Sequence, residues 1–208
     1  MENAEAATIK NNIHAVTIDA GRICFSLPPW LAALELNFKA SSLTTDTDKM
    51  NWVLELARRN IADGGGPFAA AIFALDSGEL IAPGVNRVVA LNCSVLHAEM
   101  LAIMLAQQRL GNFSLNPESG SGYELVTSTE PCAMCLGAIP WAGLKRLVCG
   151  ARDQDARAVG FDEGDKPEHW VSSLEQRGIS ITRDICRTEA AELLQEYARN
   201  SGEIYNGG

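Results

Sequence analysis

The chain has 208 residues, 47% of them hydrophobic and 21% charged, which suits one globular domain with a sizeable core. Its 26 acidic against 17 basic residues leave a formal net charge of −9. That balance argues against a nucleic-acid backbone as partner and leaves a small neutral ligand open. No stretch is apolar enough to span a bilayer, and the opening Met1-Glu2-Asn3-Ala4-Glu5 lacks the basic and apolar run of a secretory signal. Six cysteines without a dense framework read as reduced thiols in a cytoplasmic protein.

Residues 1–45 read as an N-terminal arm, partly irregular, ahead of a domain over 46–208. Ile23 to Leu31 is apolar but broken by Pro28 and Pro29, and Ser41 to Asp48 is polar like a linker. Met50, Val53, Leu54, Ala57 and Ile61 then recur at helical spacing, with Thr or Asp available as cap and Gly64 as stop. Gly64-Gly65-Gly66-Pro67 reads as a turn, since no Lys-Ser/Thr completes a phosphate loop. Phe68 to Leu75 reads as a buried strand that turns at Asp76-Ser77-Gly78 into a second, Leu80–Val89. That second strand carries Asn86, which either ties backbone together or reads the edge of a bound base.

After His97, the residues Met100, Leu101, Ile103, Met104 and Leu105 leave almost no polar face, so the helix there should be buried all round until Gly111-Asn112 ends it. Phe113–Gly122 is a polar loop and Leu125–Thr129 a strand. The helix after Pro131 carries Gly137, which should permit close helix approach, and Pro140, which should kink or end it. Leu144–Cys149 is a further strand, with Cys149 in the core. Phe161 to Pro167 contains the acidic pair Asp162-Glu163 and, on these residues alone, reads as a solvated loop. Ile179–Ile185 alternates as an edge strand. Thr188–Asn200 makes a last helix, capped by Thr188, with Ala190, Leu193, Leu194 and Tyr197 inward. Strands alternating with helices give a three-layer α/β/α sandwich around a central sheet of about five strands.

The chemistry is concentrated in His97-Ala98-Glu99 and Pro131-Cys132-Ala133-Met134-Cys135. One imidazole and two thiols suit zinc, and a catalytic zinc takes three protein ligands and keeps a fourth position for water. Positions i and i+2 of a helix point almost opposite ways, so His97 and Glu99 can serve one metal only off the first turn of a helix. Cys132 and Cys135 share a face, and Pro131 suits the first helical position. Two helix N-termini would then converge, their dipoles favouring thiolate and hydroxide. The alternatives are a structural zinc closed by Cys93, Cys149 or His169, or a redox pair. Neither accounts for a Glu two positions after the His or a Pro directly before the first Cys.

The H-x-E and P-C-x-x-C pair is the signature of zinc deaminases that act on nucleobases. At His97-Ala98-Glu99 and Glu130-Pro131-Cys132-Ala133-Met134-Cys135 the chain resembles the cytidine-deaminase-like superfamily, whose central sheet is mixed. Val53-Leu54-Glu55-Leu56, Asn60-Ile61-Ala62-Asp63, Gly66-Pro67-Phe68-Ala69-Ala70-Ala71, Asn86-Arg87-Val88-Val89 and Gly160-Phe161-Asp162-Glu163-Gly164 look like the single-domain bacterial guanine deaminases. The resemblance runs from about Leu27 to Asn206. It implies zinc held by His97, Cys132 and Cys135, with Glu99 as proton shuttle and Glu163 as a second catalytic carboxylate. It also implies Asn86 on the base, Phe68 in its apolar wall, and a homodimer whose C-terminal tail closes over the pocket with Tyr205. The implied reaction is hydrolysis of guanine to xanthine and ammonia in purine catabolism, with ammeline also accepted by some members. Rivals on the same fold act on guanosine, on cytosine or cytidine, or on adenosine in tRNA; the acidic balance disfavours the last. A rival of another class is a zinc-stabilised binding protein without turnover.

Overall fold

A computed structural model describes residues 16–19, 22–38, 43 and 45–206. Strands β1 (Val16–Asp19) and β2 (Arg22–Phe25) pair antiparallel ahead of helix α1 (Pro29–Phe38). The broken, irregular run expected over 23–31 is thereby corrected. Pro29 stands at the first helical position, where its missing N–H costs nothing and its fixed φ suits the helix, so it starts α1. The arm's residues 1–15 lie outside the described residues.

Helix α2 (Asp46–Ala62) begins where the polar stretch was read as linker. The Thr45 hydroxyl accepts from Asp48 N at 3.1 Å, and Asp46 and Asp48 in the first turn complement the dipole. Its apolar stripe, including Met50, Val53, Leu54 and Ala57, is buried as its spacing requires.

Five strands form the central sheet: β3 (Ala69–Ala74), β4 (Leu80–Val85), β5 (Tyr123–Thr129), β6 (Arg146–Ala151) and β7 (Ser180–Thr182). They lie in the order β4-β3-β5-β6-β7. β3 pairs antiparallel with β4 and β5, while β5–β6 and β6–β7 are parallel, so the sheet is mixed as the resemblance implied. Alternation along β3 splits the core. Ala69, Ala71 and Phe73 face α2 and α8 (Arg187–Arg199); Ala70 and Ile72 face α4 (Ala98–Leu110) and α5 (Ala133–Ala142). The strand is therefore buried on both sides, and its sequence is a continuous apolar run.

Several boundaries differ from the sequence reading. β4 stops at Val85: Asn86 N makes a last bond to Phe68 O, and Arg87 N turns away to Leu96 O, so Asn86 lies beyond the strand. Short α3 (Val88–Leu91) follows, where a continuing strand was expected. Helices α6 (Asp153–Ala158) and α7 (Trp170–Glu175) flank the acidic loop and were not read from the sequence at all. The N-cap position of α8 falls at Cys186, φ 50°, whose side chain makes no capping bond, and Thr188 lies inside the helix. A Cβ at Gly137 would meet nothing within 4 Å, so among the described residues it brings no helix of this chain close.

The close approach occurs instead at Gly84. A Cβ there would lie against the Ala98 carbonyl oxygen and 2.5 Å from Ala102 N, so β4 and the first turn of α4 touch backbone to backbone. This contact sets the height of α4's N-terminus above the sheet. Among the described residues no helix is long and apolar enough to cross a membrane.

Candidate active site

Two helix starts build the site. His97 (φ −67°, ψ 157°) and Cys132 (φ −64°, ψ 172°) are the N-cap residues of α4 and α5, and neither side chain makes a capping bond. Pro131 thus precedes the cap instead of occupying the first helical position. His97 Nδ1 lies 3.4 Å from Cys132 Sγ and 3.6 Å from Cys135 Sγ, and the three donor atoms lie within 4.8 Å of one another. Zinc bonds of about 2.0–2.1 Å to nitrogen and 2.3 Å to sulphur, at tetrahedral angles, place N and S about 3.6 Å apart. The donors fit zinc in chemistry and in spacing. No other His, Cys, Asp or Glu of the described residues joins the group, so the closed structural site through Cys93, Cys149 or His169 is not formed. Cys149 is wholly buried in the core, and that burial raises its thiol.

Electrostatics favour a metal. The Cys132 thiol is drawn down to about 4, chiefly by a hydrogen bond from Cys135 and, against burial, by His97. Cys135, donor of that hydrogen bond, is raised by it and by burial. Burial opposes a charged His97, but its bond to Cys132 and the charge of Glu99 outweigh this and raise its pKa. Zinc binds these donors in their deprotonated forms, so a bound cation would take the place of the protons on Cys135 and His97 beside the Cys132 thiolate.

Glu99, second residue of α4, is 6% exposed, and burial followed by the Cys132 charge lifts its carboxyl above the usual range. Glu163 is 5% exposed and pushed up to about 8, by burial first and then by Cys132 and Glu99. The solvated-loop expectation is therefore corrected for Glu163, though it holds for its neighbour Asp162, whose side chain is 60% exposed. Two features turn Glu163 inward. Its carbonyl accepts the first free N–H of α5, from Ala133 at 2.9 Å, and Gly164 adopts φ 70° against Ala133 Cβ. Arg157 Nη2 fixes the turn by donating to Gly164 O at 2.7 Å.

Above these groups lies a cavity of about 390 Å³, within the size range of small-molecule sites. Phe68 and Phe161 meet edge-on at 4.9 Å between ring centroids, and Phe161 meets Tyr205 at 5.4 Å, giving an aromatic wall. The tail that carries Tyr205 is tied to the acidic loop: Asn206 Oδ1 accepts from Asp162 N at 2.8 Å and its Nδ2 donates to Gly160 O at 3.0 Å. Asn86 also borders the cavity; its Oδ1 accepts from Val88 N at 3.3 Å while its Nδ2 has no protein partner. The Asn86 backbone is held by buried Asn60, whose Nδ2 donates to Asn86 O and to Gly66 O, each at 2.8 Å.

Sequence reasoning passed over Phe161 and Thr129 as pocket residues. No local signal marked Thr129, which is one of three hydroxyl residues that close the strand, after Thr127 and Ser128. Glu130 has a supporting part: buried before Pro131, it accepts from Asp153 N and from Arg183, which pins the entry to α5 against α6.

An open three-donor zinc set, one buried carboxylate at its side and a cavity above it belong to the class of zinc-dependent deaminases. Comparison with known proteins carries this further. Residues 43–151 match the family described as the cytidine and deoxycytidylate deaminase zinc-binding region, and the chain belongs to that family. It is similar to the solved structure of a guanine deaminase from Nitrosomonas europaea, 49% identical with TM-score 0.79, covering 84% of this chain and 94% of that one. A variant of that protein has been solved with 8-azaguanine. A guanine deaminase of Bacillus subtilis is 43% identical over 99 residues, 48% of this chain and 59% of its own length. The match thus spans little more than half of the Bacillus protein. A tRNA-specific adenosine deaminase of Buchnera aphidicola is 31% identical over 59% of this chain and 74% of its own length.

Proposed function

We infer that the protein is a zinc-dependent guanine deaminase that hydrolyses the base to xanthine and ammonia. The observation that carries this reading is Glu163: a second buried carboxylate beside Glu99, facing a cavity with an aromatic wall for a flat base. The 49% identity to the Nitrosomonas guanine deaminase supports it. The net charge of −9 speaks against a tRNA substrate. Ammeline is a candidate second substrate.

His97, Cys132 and Cys135 would hold the zinc, which would supply Lewis-acid activation of water. Glu99 takes a proton from the attacking water and returns it to a ring nitrogen of the base. Its burial keeps that proton from leaking to solvent. Glu163, whose carboxyl is raised first by its burial, gives a proton to the departing amine, and the proton left on the added oxygen restores it as the carbonyl of xanthine forms and the C–N bond breaks. Phe68 and Tyr205 clamp the ring faces, and the free Asn86 Nδ2 donates to the base edge. Residues 46–208 make the deaminase domain, with 1–45 as an arm, and two chains pair as a homodimer. Pairing offers cover for Trp141 on α5, which is 88% exposed.

The test is ammonia release by purified, zinc-loaded protein from guanine, guanosine, cytosine, cytidine, ammeline and tRNA. Guanine is expected to turn over fastest. Activity confined to tRNA or to a nucleoside overturns the reading.

A further inference from the structure

β5 ends at Thr129, three residues before the first zinc thiol. Side chains alternate along a strand. Leu125 packs in the core on the α4 and α5 side, and Val126 in the core on the α2 and α8 side. Thr129, in step with Leu125, therefore faces the starts of the two metal-bearing helices. It is 3% exposed and borders the cavity, yet its hydroxyl has no partner in the protein. Its neighbour shows the contrast: Ser128, on the opposite face, accepts from Ala69 N at 3.1 Å.

A buried hydroxyl without a partner costs stability, and such groups are kept where a ligand completes them. Thr129 is not alone. Asn86 Nδ2 and the Tyr205 hydroxyl border the same cavity and are equally unpartnered. Three segments remote in sequence thus each bring a buried, unsatisfied polar atom to the residues that line one space. A heteroaromatic base meets this demand, because its edge alternates N–H donors with ring-nitrogen and carbonyl acceptors while its faces suit the aromatic wall. We propose that Thr129 is a specificity-determining residue whose hydroxyl hydrogen-bonds the polar edge of the bound purine. The assignment rests on the guanine reading of this site. A hydroxyl both donates and accepts, so Thr129 complements the donor-only Asn86 Nδ2. Its place at a strand end inside a five-stranded sheet makes it a rigid contact, unlike Tyr205 on the tail.

Thr129→Val exchanges the hydroxyl for a methyl of nearly the same shape. Since no protein group bonds that hydroxyl, the thermal midpoint and zinc content should hold or rise. KM for guanine and the calorimetric Kd for 8-azaguanine should climb by about 10- to 100-fold, with kcat falling less. Thr129→Ser should return binding to within about threefold of wild type, because the bond is remade. A Val variant that melts early or fails to fold overturns the proposal, for the hydroxyl would then serve the protein itself. So does a stable Val variant that binds and turns over guanine as wild type does, while the guanine reading survives. Wild-type protein that neither binds nor deaminates guanine sinks both together.

Discussion

Gly84→Ala probes the contact that sets the height of the zinc-binding helix. The added methyl would press on the Ala98 carbonyl oxygen and stand 2.5 Å from Ala102 N, where real Cβ atoms keep at least 3.0 Å. Both obstacles are backbone, so no rotamer relieves them. α4 must lift by at least half an ångström at Ala102 and by more at Ala98, the residue between His97 and Glu99. Overpacking of this kind costs about 1–3 kcal/mol, and a displacement near 1 Å at reacting groups costs about 10²-fold in rate. Urea denaturation, metal content and ammonia release on the same preparation measure all three effects. Gly137→Ala is the control for the helix displacement: within the chain the methyl meets nothing within 4 Å, so α4 should stay in place and the zinc content should not change. A Gly84→Ala protein as stable and active as wild type would refute the reasoning, since the helix would then be placed by something else.

Glu99→Gln should keep zinc and fold while losing about 10²–10⁴-fold in turnover; loss of metal in this variant would make Glu99 a ligand instead of a proton carrier. Glu163→Gln should likewise keep zinc and lose turnover, and an unchanged rate would leave Glu163 as a buried anchor of its loop. Chelation should lower the thermal midpoint and zinc restore it, because only the folded chain gathers His97, Cys132 and Cys135; in Cys132→Ser the zinc-induced rise should vanish. The carboxyls of Asp46 and Asp155 are held below their ordinary 3.8, chiefly by hydrogen bonds from Arg146 and Arg187 respectively. Their stabilisation is complete above that value and disappears as pH falls through the lowered folded value. Asp155→Asn should therefore be less stable than wild type near neutral pH, and the gap should close in strong acid; a gap that persists there would mean packing, not charge, is at work.

What could be read without coordinates follows a pattern. The α2 stripe was legible because its partners recur every three or four residues, and β3 because it is apolar on both faces. Glu163 was legible only through the family resemblance, since nothing in the residue types of Phe161-Asp162-Glu163-Gly164 tells an inward carboxylate from an outward one. Its direction depends on Ala133 N offering an unfilled donor and on Gly164 turning at φ 70°. Pro29 misled because a proline breaks a helix interior yet starts a helix. Asn86 was placed in a strand because Val88 and Val89 favour one, while the bond from Arg87 N to Leu96 O ends it. Gly137 and Gly84 look alike in sequence, and only packing shows which one a helix rests on.

The sequence by itself determined the metal donors and the carboxylate beside them. Spacings of two and three residues act within a single helical turn, where covalent geometry leaves little choice. The tertiary structure decided what surrounds them: how the acidic loop turns Glu163 inward, which strand end carries an unpaired hydroxyl, and how the tail brings Tyr205 against the aromatic wall. Those groups meet through contacts between distant segments, and no local pattern encodes a partner that the chain reaches only by folding.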